Sequence, residues 1–308
     1  MERVVVKAPS STSNLGAGFD VLGLALDVFA DIVEVSFGPE KVKVEVEGVS
    51  KDRVSSDPAF NTAGLTASLI LQRFNLEEGV KIKLSKGIPA GSGLGSSGAS
   101  AAGTAIALNT LLDLGLSKLE LVRVAAEGER VSAGAVHADN VAPSIYGGFT
   151  IIYSYKPILV QAYPPVDMTF ALAVPSIEKT TEASRAILPR RVDLKDFVHN
   201  LGGACLAVAA MLKGDPESLG KAMMRDRVVE PKRAHLYKGY VEAKRAALKA
   251  GACGVTLSGA GPTAIAVVRN RKEGELVSNV MAETFQAMGV RCEGYVAKPT
   301  GGAKILST

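Results

Sequence analysis

A glycine-rich segment, 89–100, holds the residue types that bind an anionic group such as phosphate. Its glycines stand at alternate positions, Gly91, Gly93 and Gly95. Because they have no Cβ atoms, these residues let backbone N–H groups approach a ligand closely. Ser96 and Ser97 follow at the expected start of an alanine-rich helix, where unpaired N–H groups and the helix dipole attract negative charge. The segment therefore predicts a phosphate site.

Two better-known glycine loops fit this segment less well. The pattern G-x-x-x-x-G-K-[ST] needs a lysine after its last glycine, and none lies between Lys86 and Lys118. The pattern G-x-G-x-x-G occurs at Gly93, Gly95 and Gly98, but the next segment is helical rather than a strand that ends in an acidic residue. A glycine-rich turn without a ligand is the remaining alternative, although so many glycines at one helix start destabilise the chain without a purpose.

A second polar segment, 7–20, brings hydroxyl, amide and carboxylate groups to the end of a predicted strand. Asn14 and Asp20 bracket a tight Leu-Gly-Ala-Gly turn. These side chains suit a small polar substrate. They are equally suited to bonding their own backbone in a turn, so the residues alone leave both interpretations open.

Glu129 is unusual on the predicted helix 118–133. It continues the apolar stripe of Val122, Ala125 and Ala126 and so should face the interior. A buried carboxylate needs a cation. If the helix packs beside the glycine loop, Mg²⁺ bound to phosphate is a fitting partner, because this ion needs only one or two protein carboxylates. A glutamate on the helix surface is the alternative.

Further candidate residues lie downstream. His137 and Asp139 stand in a loop, where they could serve acid–base chemistry or shape a turn. Arg185 and Arg233 are of the type that binds a carboxylate through two parallel bonds, or they are solvated surface charges. Gly259 lies in a loop of small residues between two predicted strands, which is either a plain hairpin or a wall behind the phosphate site.

Strands and helices interleave along the chain, which indicates an α+β fold with two domains. The predicted strands are 4–7, 23–37, 41–47, 80–84, 149–153, 169–174 and 290–296. The predicted helices include 62–74, 96–112, 118–133 and 272–288. A proline-containing segment, 155–167, separates the two halves, so we expect domains at 1–155 and 156–308.

Composition limits the class of protein. The 308 residues include 35 Lys and Arg against 31 Asp and Glu, with no long basic run, which disfavours nucleic acid as a partner. The most apolar stretch, 99–116, is interrupted by polar residues and predicts a buried helix, so we expect no membrane span. The three distant cysteines match no disulfide framework or zinc spacing, so we expect a cytoplasmic location.

Together these segments resemble the three signature motifs of the GHMP small-molecule kinases. Segment 89–100 resembles their phosphate loop, P-x-x-x-G-L-G-S-S-A-A, with Gly98 where alanine is usual, and 254–262 resembles their third motif. Segment 7–26 and the block 128–149 are similar to the homoserine kinase branch of this superfamily. The resemblance covers nearly the whole chain.

The resemblance implies a two-domain GHMP kinase fold, with an N-terminal nucleotide-binding domain like ribosomal protein S5 domain 2 and a ferredoxin-like C-terminal domain. It implies transfer of the γ-phosphate of ATP, with Mg²⁺, to the side-chain hydroxyl of L-homoserine, a step of threonine biosynthesis, by a homodimer. One alternative is a sister kinase acting on another small alcohol, such as shikimate or a mevalonate-type acid. Another is a nucleotide-binding sensor without catalysis.

Site residues follow from the resemblance, position by position. The nucleotide would contact Asn61, Pro89, Gly91, Ser92, Gly93, Leu94, Gly95, Ser96 and Ser97. Mg²⁺ would be held by Ser96 and Glu129. L-homoserine would contact Asn14, Asp20, His137, Asn140, Thr181, Arg185, Arg233 and Gly259. The catalytic residues would be Asn140, Glu129 and Arg233.

Asn140 bears on the mechanism. Several relatives of this superfamily, mevalonate kinase among them, have a catalytic aspartate at the equivalent position, whereas homoserine kinases resemble this chain in having asparagine. An amide is not a useful base. We therefore expect direct attack by an aligned hydroxyl, since the loose transition state of phosphoryl transfer needs mainly positioning and charge stabilisation.

Overall fold

The computed structural model describes residues 2–133, 136–177 and 181–308, which form two sheets and the helices that cover them. The strands are β1 (Arg3–Asn14), β2 (Gly18–Phe37), β3 (Val42–Gly48), β4 (Val80–Lys86), β5 (Phe149–Tyr155), β6 (Ile158–Tyr163), β7 (Thr169–Pro175), β8 (Gly254–Leu257), β9 (Ala264–Val268), β10 (Cys292–Ala297) and β11 (Lys304–Ser307). The helices are α1 (Thr62–Arg73), α2 (Ser96–Leu111), α3 (Lys118–Gly128), α4 (Arg130–Ala133), α5 (Val141–Tyr146), α6 (Thr181–Ala186), α7 (Leu194–Lys213), α8 (Pro216–Met223), α9 (Glu230–Arg233), α10 (Tyr240–Lys249) and α11 (Arg271–Ala287).

The first sheet has the strand order β11-β1-β2-β4-β3, and β5 joins it through β2. Alternation along the strands decides which face is buried, because successive side chains point to opposite sides. In β4, Val80, Ile82 and Leu84 are buried while Lys81 and Lys83 form ion pairs at the surface. The buried face packs against α1, α2 and α3 in one hydrophobic core.

The second sheet is antiparallel with the order β10-β7-β9-β8. Counted from β7, this order is 4-1-3-2, and the connections follow the split βαβ pattern expected of a ferredoxin-like domain. Strand β7 is buried on both faces. Its Phe170 and Leu172 belong to a core shared with α7, α8 and the first sheet, whereas Ala171 and Ala173 pack in a core shared with α10 and α11.

Sheet pairing divides the chain differently from the expected domains 1–155 and 156–308. Strand β6 pairs antiparallel with β5, and the C-terminal β11 pairs with β1, so both belong to the first sheet. The second sheet begins only at Thr169. The boundary was predicted from the prolines that follow Tyr155. Pro157, however, lies in the turn of the β5–β6 hairpin rather than in a linker.

Two helical segments also differ from expectation. The helix predicted over 118–133 is interrupted at Glu129, which ends α3 before the short α4. Gly128 precedes the break and lets α1 and α3 come into close contact, because a Cβ there would lie 2.1 Å from the Thr66 hydroxyl. The second segment is α5, which is not among the helices predicted from the sequence. None of the helices in the described ranges combines the length and apolarity needed to cross a membrane.

Candidate active site

The glycine loop connects β4 to α2 through a left-handed backbone. The φ angle is +72° at Gly91, +82° at Gly93 and +69° at Gly95. A Cβ on Gly93 would lie 2.4 Å from the carbonyl oxygen of Ser258, and one on Gly95 would lie 2.2 Å from the hydroxyl of Ser11. Gly95 caps α2 without a side-chain hydrogen bond. The first N–H groups of α2 therefore need a partner from outside the helix, as an anion site requires.

A cavity of about 360 Å³ opens beside this loop, a size typical of small-molecule sites. It is lined by most of the residues predicted from the sequence: Asn14, Asp20, Asn61, Gly91, Ser92, Gly93, Gly95, Ser96, Ser97, Glu129, His137, Asn140, Arg185, Arg233 and Gly259. These residues come from both halves of the chain. The fold therefore brings the predicted phosphate end and the predicted substrate end together in one cavity.

Three predicted residues are placed differently. Leu94 is fully buried in the hydrophobic core behind the loop, so its side chain does not reach the cavity. Pro89 shapes the loop, since its carbonyl accepts a hydrogen bond from the Ser92 hydroxyl at 2.7 Å. Thr181 begins α6, but its side chain lies outside what the structure describes.

Asn61 acts as the N-cap of α1. Its side-chain oxygen accepts hydrogen bonds from the N–H groups of Ala63 and Gly64, and its amide donates to the Ser55 carbonyl at 2.6 Å. Phe60 precedes it and is 70% exposed at the cavity. This part of the cavity pairs an exposed aromatic ring with a rigid helix start, which suits a flat ring such as adenine.

Glu129 lies where a carboxylate needs a cation. It is 6% exposed and ends α3, where the negative end of the helix dipole disfavours a carboxylate. The Ser97 hydroxyl donates a hydrogen bond to its Oε2 at 2.9 Å. The neighbouring Ser96 hydroxyl donates to the Ile88 carbonyl at 2.9 Å. Glu129 thus joins the start of α2, as it would if it held Mg²⁺ on a bound phosphate.

Lys86 and Asp31 form a buried ion pair that the sequence analysis did not find. Both side chains are at most 1% exposed, and the Lys86 ammonium donates to the Asp31 carboxylate. Burial lowers the pKa of Lys86, whereas the charge of Asp31 opposes this shift. Lys86 lies two residues after Leu84 in an alternating strand, and the only signal was that this position belongs to the buried face.

Asn140 is fixed next to the glycine loop. Its side-chain oxygen accepts from the Ser11 hydroxyl at 3.0 Å, and its amide donates to the Ser13 hydroxyl at 3.2 Å. A Cβ on Gly95 would lie 3.0 Å from the same side-chain oxygen. The amide is therefore held in one orientation beside the phosphate loop and has no basic atom to offer.

Asp20 and Arg185 form an ion pair at the end of the cavity predicted to bind the substrate. Arg185 Nη2 lies 2.7 Å from each carboxylate oxygen of Asp20, and 3.2 Å from Nδ1 of His137. The backbone N–H of Asp20 donates to the Asn14 side chain at 3.1 Å. Burial, together with the nearby arginines, lowers the pKa of His137. The corner thus holds a carboxylate, a guanidinium and a neutral imidazole at neutral pH.

Arg233 is a buried cation. It is 3% exposed, and its guanidinium donates to the carbonyls of Ser184 at 3.1 Å and Gly259 at 3.2 Å. Among the described residues no carboxylate pairs with it. Burial lowers its pKa. The guanidinium carbons of Arg233 and Arg185 each lie 5.3 Å from the centre of the Phe19 ring. Phe19 is another residue that the sequence analysis did not identify. Two guanidiniums at one ring form a site for an anion.

Asp139 is a buried carboxyl beside this corner. It is 4% exposed and lines the cavity. Burial, with a smaller contribution from the charge of Asp20, raises its pKa from 3.8 to about 7, and a hydrogen bond from Ser13 opposes the shift. A carboxyl with this raised pKa keeps its proton to a higher pH than an exposed aspartate does.

The loop between β8 and β9 joins two antiparallel strands and packs against the glycine loop. The Ser258 hydroxyl donates to the Gly93 carbonyl at 2.7 Å, and the Thr263 N–H donates to the Ser92 carbonyl at 3.2 Å. The Asn14 amide donates to the Gly259 carbonyl at 2.9 Å. The second sheet thus fixes both the phosphate loop and the polar turn of the first sheet.

Known proteins share this fold and these motifs. Family models for the GHMP kinases N terminal domain and for GHMP kinases C terminal match residues 61–148 and 207–287. Homoserine kinase of Methanococcus maripaludis strain S2 is 42% identical over 305 residues, 99% of each chain. Homoserine kinase of Halorubrum lacusprofundi is 41% identical over 304 residues, 98% of this chain and 99% of the relative.

A solved structure agrees with these relatives over the whole fold. The crystal structure of homoserine kinase from Cytophaga hutchinsonii superimposes with a TM-score of 0.92 at 34% sequence identity. The superposition covers 99% of this chain and 98% of the other. The likeness therefore extends through both sheets and the cavity between them.

Proposed function

Because the chain belongs to the homoserine kinase family of the GHMP kinases, we propose that it transfers the γ-phosphate of ATP to the side-chain hydroxyl of L-homoserine. The product would be O-phospho-L-homoserine, an intermediate of threonine biosynthesis. One observation carries the proposal: a single cavity joins the start of α2 and its glycine loop to a corner that holds Asp20, Arg185 and Arg233. A polyphosphate suits the first end, and a small zwitterion suits the second.

The charges of the corner match those of an amino acid. Arg233, buried without a carboxylate partner in the described residues, would bind the carboxylate of homoserine, with Arg185 beside it. Asp20 would bind the ammonium. This assignment leaves the alcohol arm to extend toward Asn140 and the glycine loop. His137, Asn14 and Gly259 complete the wall around the substrate.

We infer that the hydroxyl attacks the γ-phosphate in line, without a dedicated carboxylate base. The amide of Asn140 is held by Ser11 and Ser13 and would orient the hydroxyl by hydrogen bonding. The new O–P bond forms as the bond to ADP breaks, and the hydroxyl proton passes late to a γ-phosphate oxygen or to water. Positioning and charge stabilisation are sufficient for such a transfer.

Mg²⁺ fits the donors at the phosphate end. The buried carboxylate of Glu129 and the hydroxyl of Ser97 lie together at the start of α2, with Ser96 adjacent. Among the described residues no group of three His, Cys, Asp or Glu side chains could hold a metal ion by itself. An ion bound at Glu129 would take further ligands from the nucleotide, as Mg²⁺ does. When bound with ATP, the ion neutralises charge on the transferring phosphate.

A coupled assay of ADP release tests the function directly. We expect turnover with L-homoserine, and at least about 100-fold lower kcat/KM with mevalonate or shikimate, because neither supplies the ammonium that Asp20 would bind. Faster turnover of mevalonate or shikimate would instead make the chain a sister kinase. Nucleotide binding without ADP release for any of these alcohols would support a sensor.

Asp139 is the rival base, because its pKa of about 7 suits proton transfer near neutral pH. We expect Asp139→Asn to retain kcat within about tenfold, since the proposed transfer needs no base. The folded carboxyl binds its proton more tightly than the unfolded one. Wild-type stability should therefore fall as pH rises from about 4 to 7, and the variant should lack this component.

Urea unfolding of both proteins between pH 4 and 8 measures the stability difference, and initial rates over the same interval measure turnover. Loss of turnover at every pH, with both substrate affinities intact, would instead identify Asp139 as the base.

We also infer that two copies of the chain pair through α7. Its first nine residues include no buried side chain. Apolar residues and Cys205 recur along the helix at heptad spacing: Leu194, Val198, Leu201, Cys205, Val208 and Leu212, of which Val208 is partly buried against the core of its own chain. Leu194, Val198 and Leu201 are 76%, 59% and 51% exposed. A stripe with a 3.5-residue period packs against another helix, and an identical stripe on a second copy matches it.

Leu201→Lys should separate the pair, because a buried lysine at the centre of the stripe has no partner. Sedimentation equilibrium should give twice the chain mass of 32.0 kDa for the wild type and a single chain mass for the variant. Leu276→Lys, at a leucine 53% exposed on α11, is the matched control and should remain paired. A monomeric wild type would contradict the inference.

The expected cytoplasmic location stays a prediction.

A further inference from the structure

We propose that Lys86 strengthens nucleotide binding without touching the nucleotide, by polarising the peptide unit that joins Ser96 to Ser97 at the start of α2. This inference rests on the proposed function, since it takes ATP as the ligand of the glycine loop. It assigns to a buried charge, which neither the motif nor the proposed mechanism uses, a role in binding the phosphates.

The ammonium group of Lys86 has a partner for each of its three N–H bonds. It donates to the Asp31 carboxylate, to the Ser100 hydroxyl at 2.7 Å and to the main-chain carbonyl of Ser96 at 2.9 Å. The last contact is the important one, because Ser96 is the first residue of α2. A saturated ammonium that is 1% exposed is a fixed charge and not a mobile arm.

The carbonyl that Lys86 holds belongs to the same peptide unit as the Ser97 N–H. In a trans peptide these two groups point in opposite directions. A cation on the carbonyl oxygen draws electron density toward it and makes the N–H a stronger donor, which is how chains of hydrogen bonds reinforce one another. The Ser97 N–H belongs to the first turn of α2, where the dipole already favours an anion.

Asp31 keeps this arrangement rigid. One of its carboxylate oxygens accepts the N–H groups of Gly87 and Ile88, both at 3.0 Å, and the other accepts the Ser100 hydroxyl at 3.0 Å. These bonds hold the Asp31 carboxylate in place. The carboxylate in turn holds the Lys86 ammonium beside the Ser96 carbonyl. They also fasten the entry to the glycine loop.

Burial makes the charge effective at the loop. A charge in a poorly solvated interior is screened much less than one at the surface. The charge of the Glu129 carboxylate also raises the pKa of Lys86. These two opposite charges therefore partly compensate each other beneath the glycine loop. A neutral side chain in place of Lys86 would leave Glu129 facing the nucleotide's phosphates with less compensation.

The test separates charge from structure. Lys86→Met alone leaves Asp31 as a buried unpaired carboxylate and should destabilise the fold. The double variant Asp31→Asn/Lys86→Met removes both charges and should regain the unfolding midpoint of the wild type. Calorimetric titration of this double variant should still show ATP bound about tenfold more weakly or worse, since a charge-assisted hydrogen bond is weakened. Adenosine, which has no phosphate, should bind both proteins equally.

Two further variants complete the test. Asp31→Asn/Lys86→Gln keeps a donor for the Ser96 carbonyl and removes only the charge. It should also bind ATP more weakly, and it replaces the methionine variant if that one fails to fold. Glu230→Gln/Lys244→Met removes another largely buried ion pair, away from the loop, and should leave ATP affinity unchanged.

Each outcome decides the matter. A loss of ATP affinity clearly below about tenfold in a stable double variant would overturn the proposal and leave Lys86 a structural residue. An equal loss of affinity for adenosine would also overturn the proposal. The cause would then be a change in the shape of the glycine loop rather than weaker binding of the phosphates. A wild-type protein that binds no ATP would contradict the proposed function itself, before the variants are compared.

Discussion

Replacing Glu129 with glutamine should reduce kcat by at least about 100-fold and weaken the dependence of the rate on Mg²⁺. The substitution keeps the size of the side chain and a group for the Ser97 hydroxyl to contact. It removes the negative charge, which is buried at the end of α3 and is the feature suited to hold a divalent cation on the phosphates. The loss should therefore appear in turnover rather than in folding.

Steady-state rates over a range of Mg²⁺ concentrations measure this effect, and thermal unfolding reports the fold. Glu127→Gln is the matched control. Glu127 lies on the same helix, pairs with Arg130 at the surface and is 46% exposed. Its variant should keep the wild-type rate. A near-normal rate for Glu129→Gln would remove Glu129 from the catalytic machinery.

Arg233→Met should raise the KM for homoserine by about 10-fold to 100-fold and leave the KM for ATP nearly unchanged. The guanidinium is buried, its partners in the described residues are carbonyl oxygens, and a substrate carboxylate would supply the missing negative charge. Arg185→Met should have a smaller effect, because Arg185 is already paired with Asp20 and its loss leaves that carboxylate available to the ammonium.

A substrate analogue makes this prediction sharper. 3-Amino-1-propanol is homoserine without its carboxylate, so it should be equally poor for the wild type and for Arg233→Met. Arg190→Met, at an exposed arginine of the same half of the chain, is the control and should behave as the wild type. Equal increases in the KM for both homoserine and ATP would contradict the assignment.

The sequence was sufficient to predict those parts of the cavity lining whose structure is determined by short-range patterns. The glycine loop, the start of α2 and the inward position of Glu129 follow from backbone freedom and helical periodicity. The convergence of Arg185 and Arg233 on Phe19 does not, because each lies in a different element and nothing local relates them. Lys86 was missed for another reason. Lys81 and Lys83 on the same strand are surface residues, and only the register places Lys86 inside.

Parts of the fold were also beyond local patterns. Strands β6 and β11 complete the first sheet through pairing with β5 and β1, and the partner of β11 is almost 300 residues away. Such pairing depends on topology rather than on the residues of the strand itself. The break between α3 and α4 at Glu129 is likewise not revealed by the periodicity of 118–133.

The last strand has a consequence for synthesis of the protein on the ribosome. Besides the pairing of β11 with β1, the Ala303 N–H donates to the Ser144 carbonyl, in the helix that follows Asn140. These contacts cannot form until residues 303–307 have been translated and have left the exit tunnel. A nascent chain therefore carries its glycine loop long before the hydrogen bond between Ala303 and Ser144 can form.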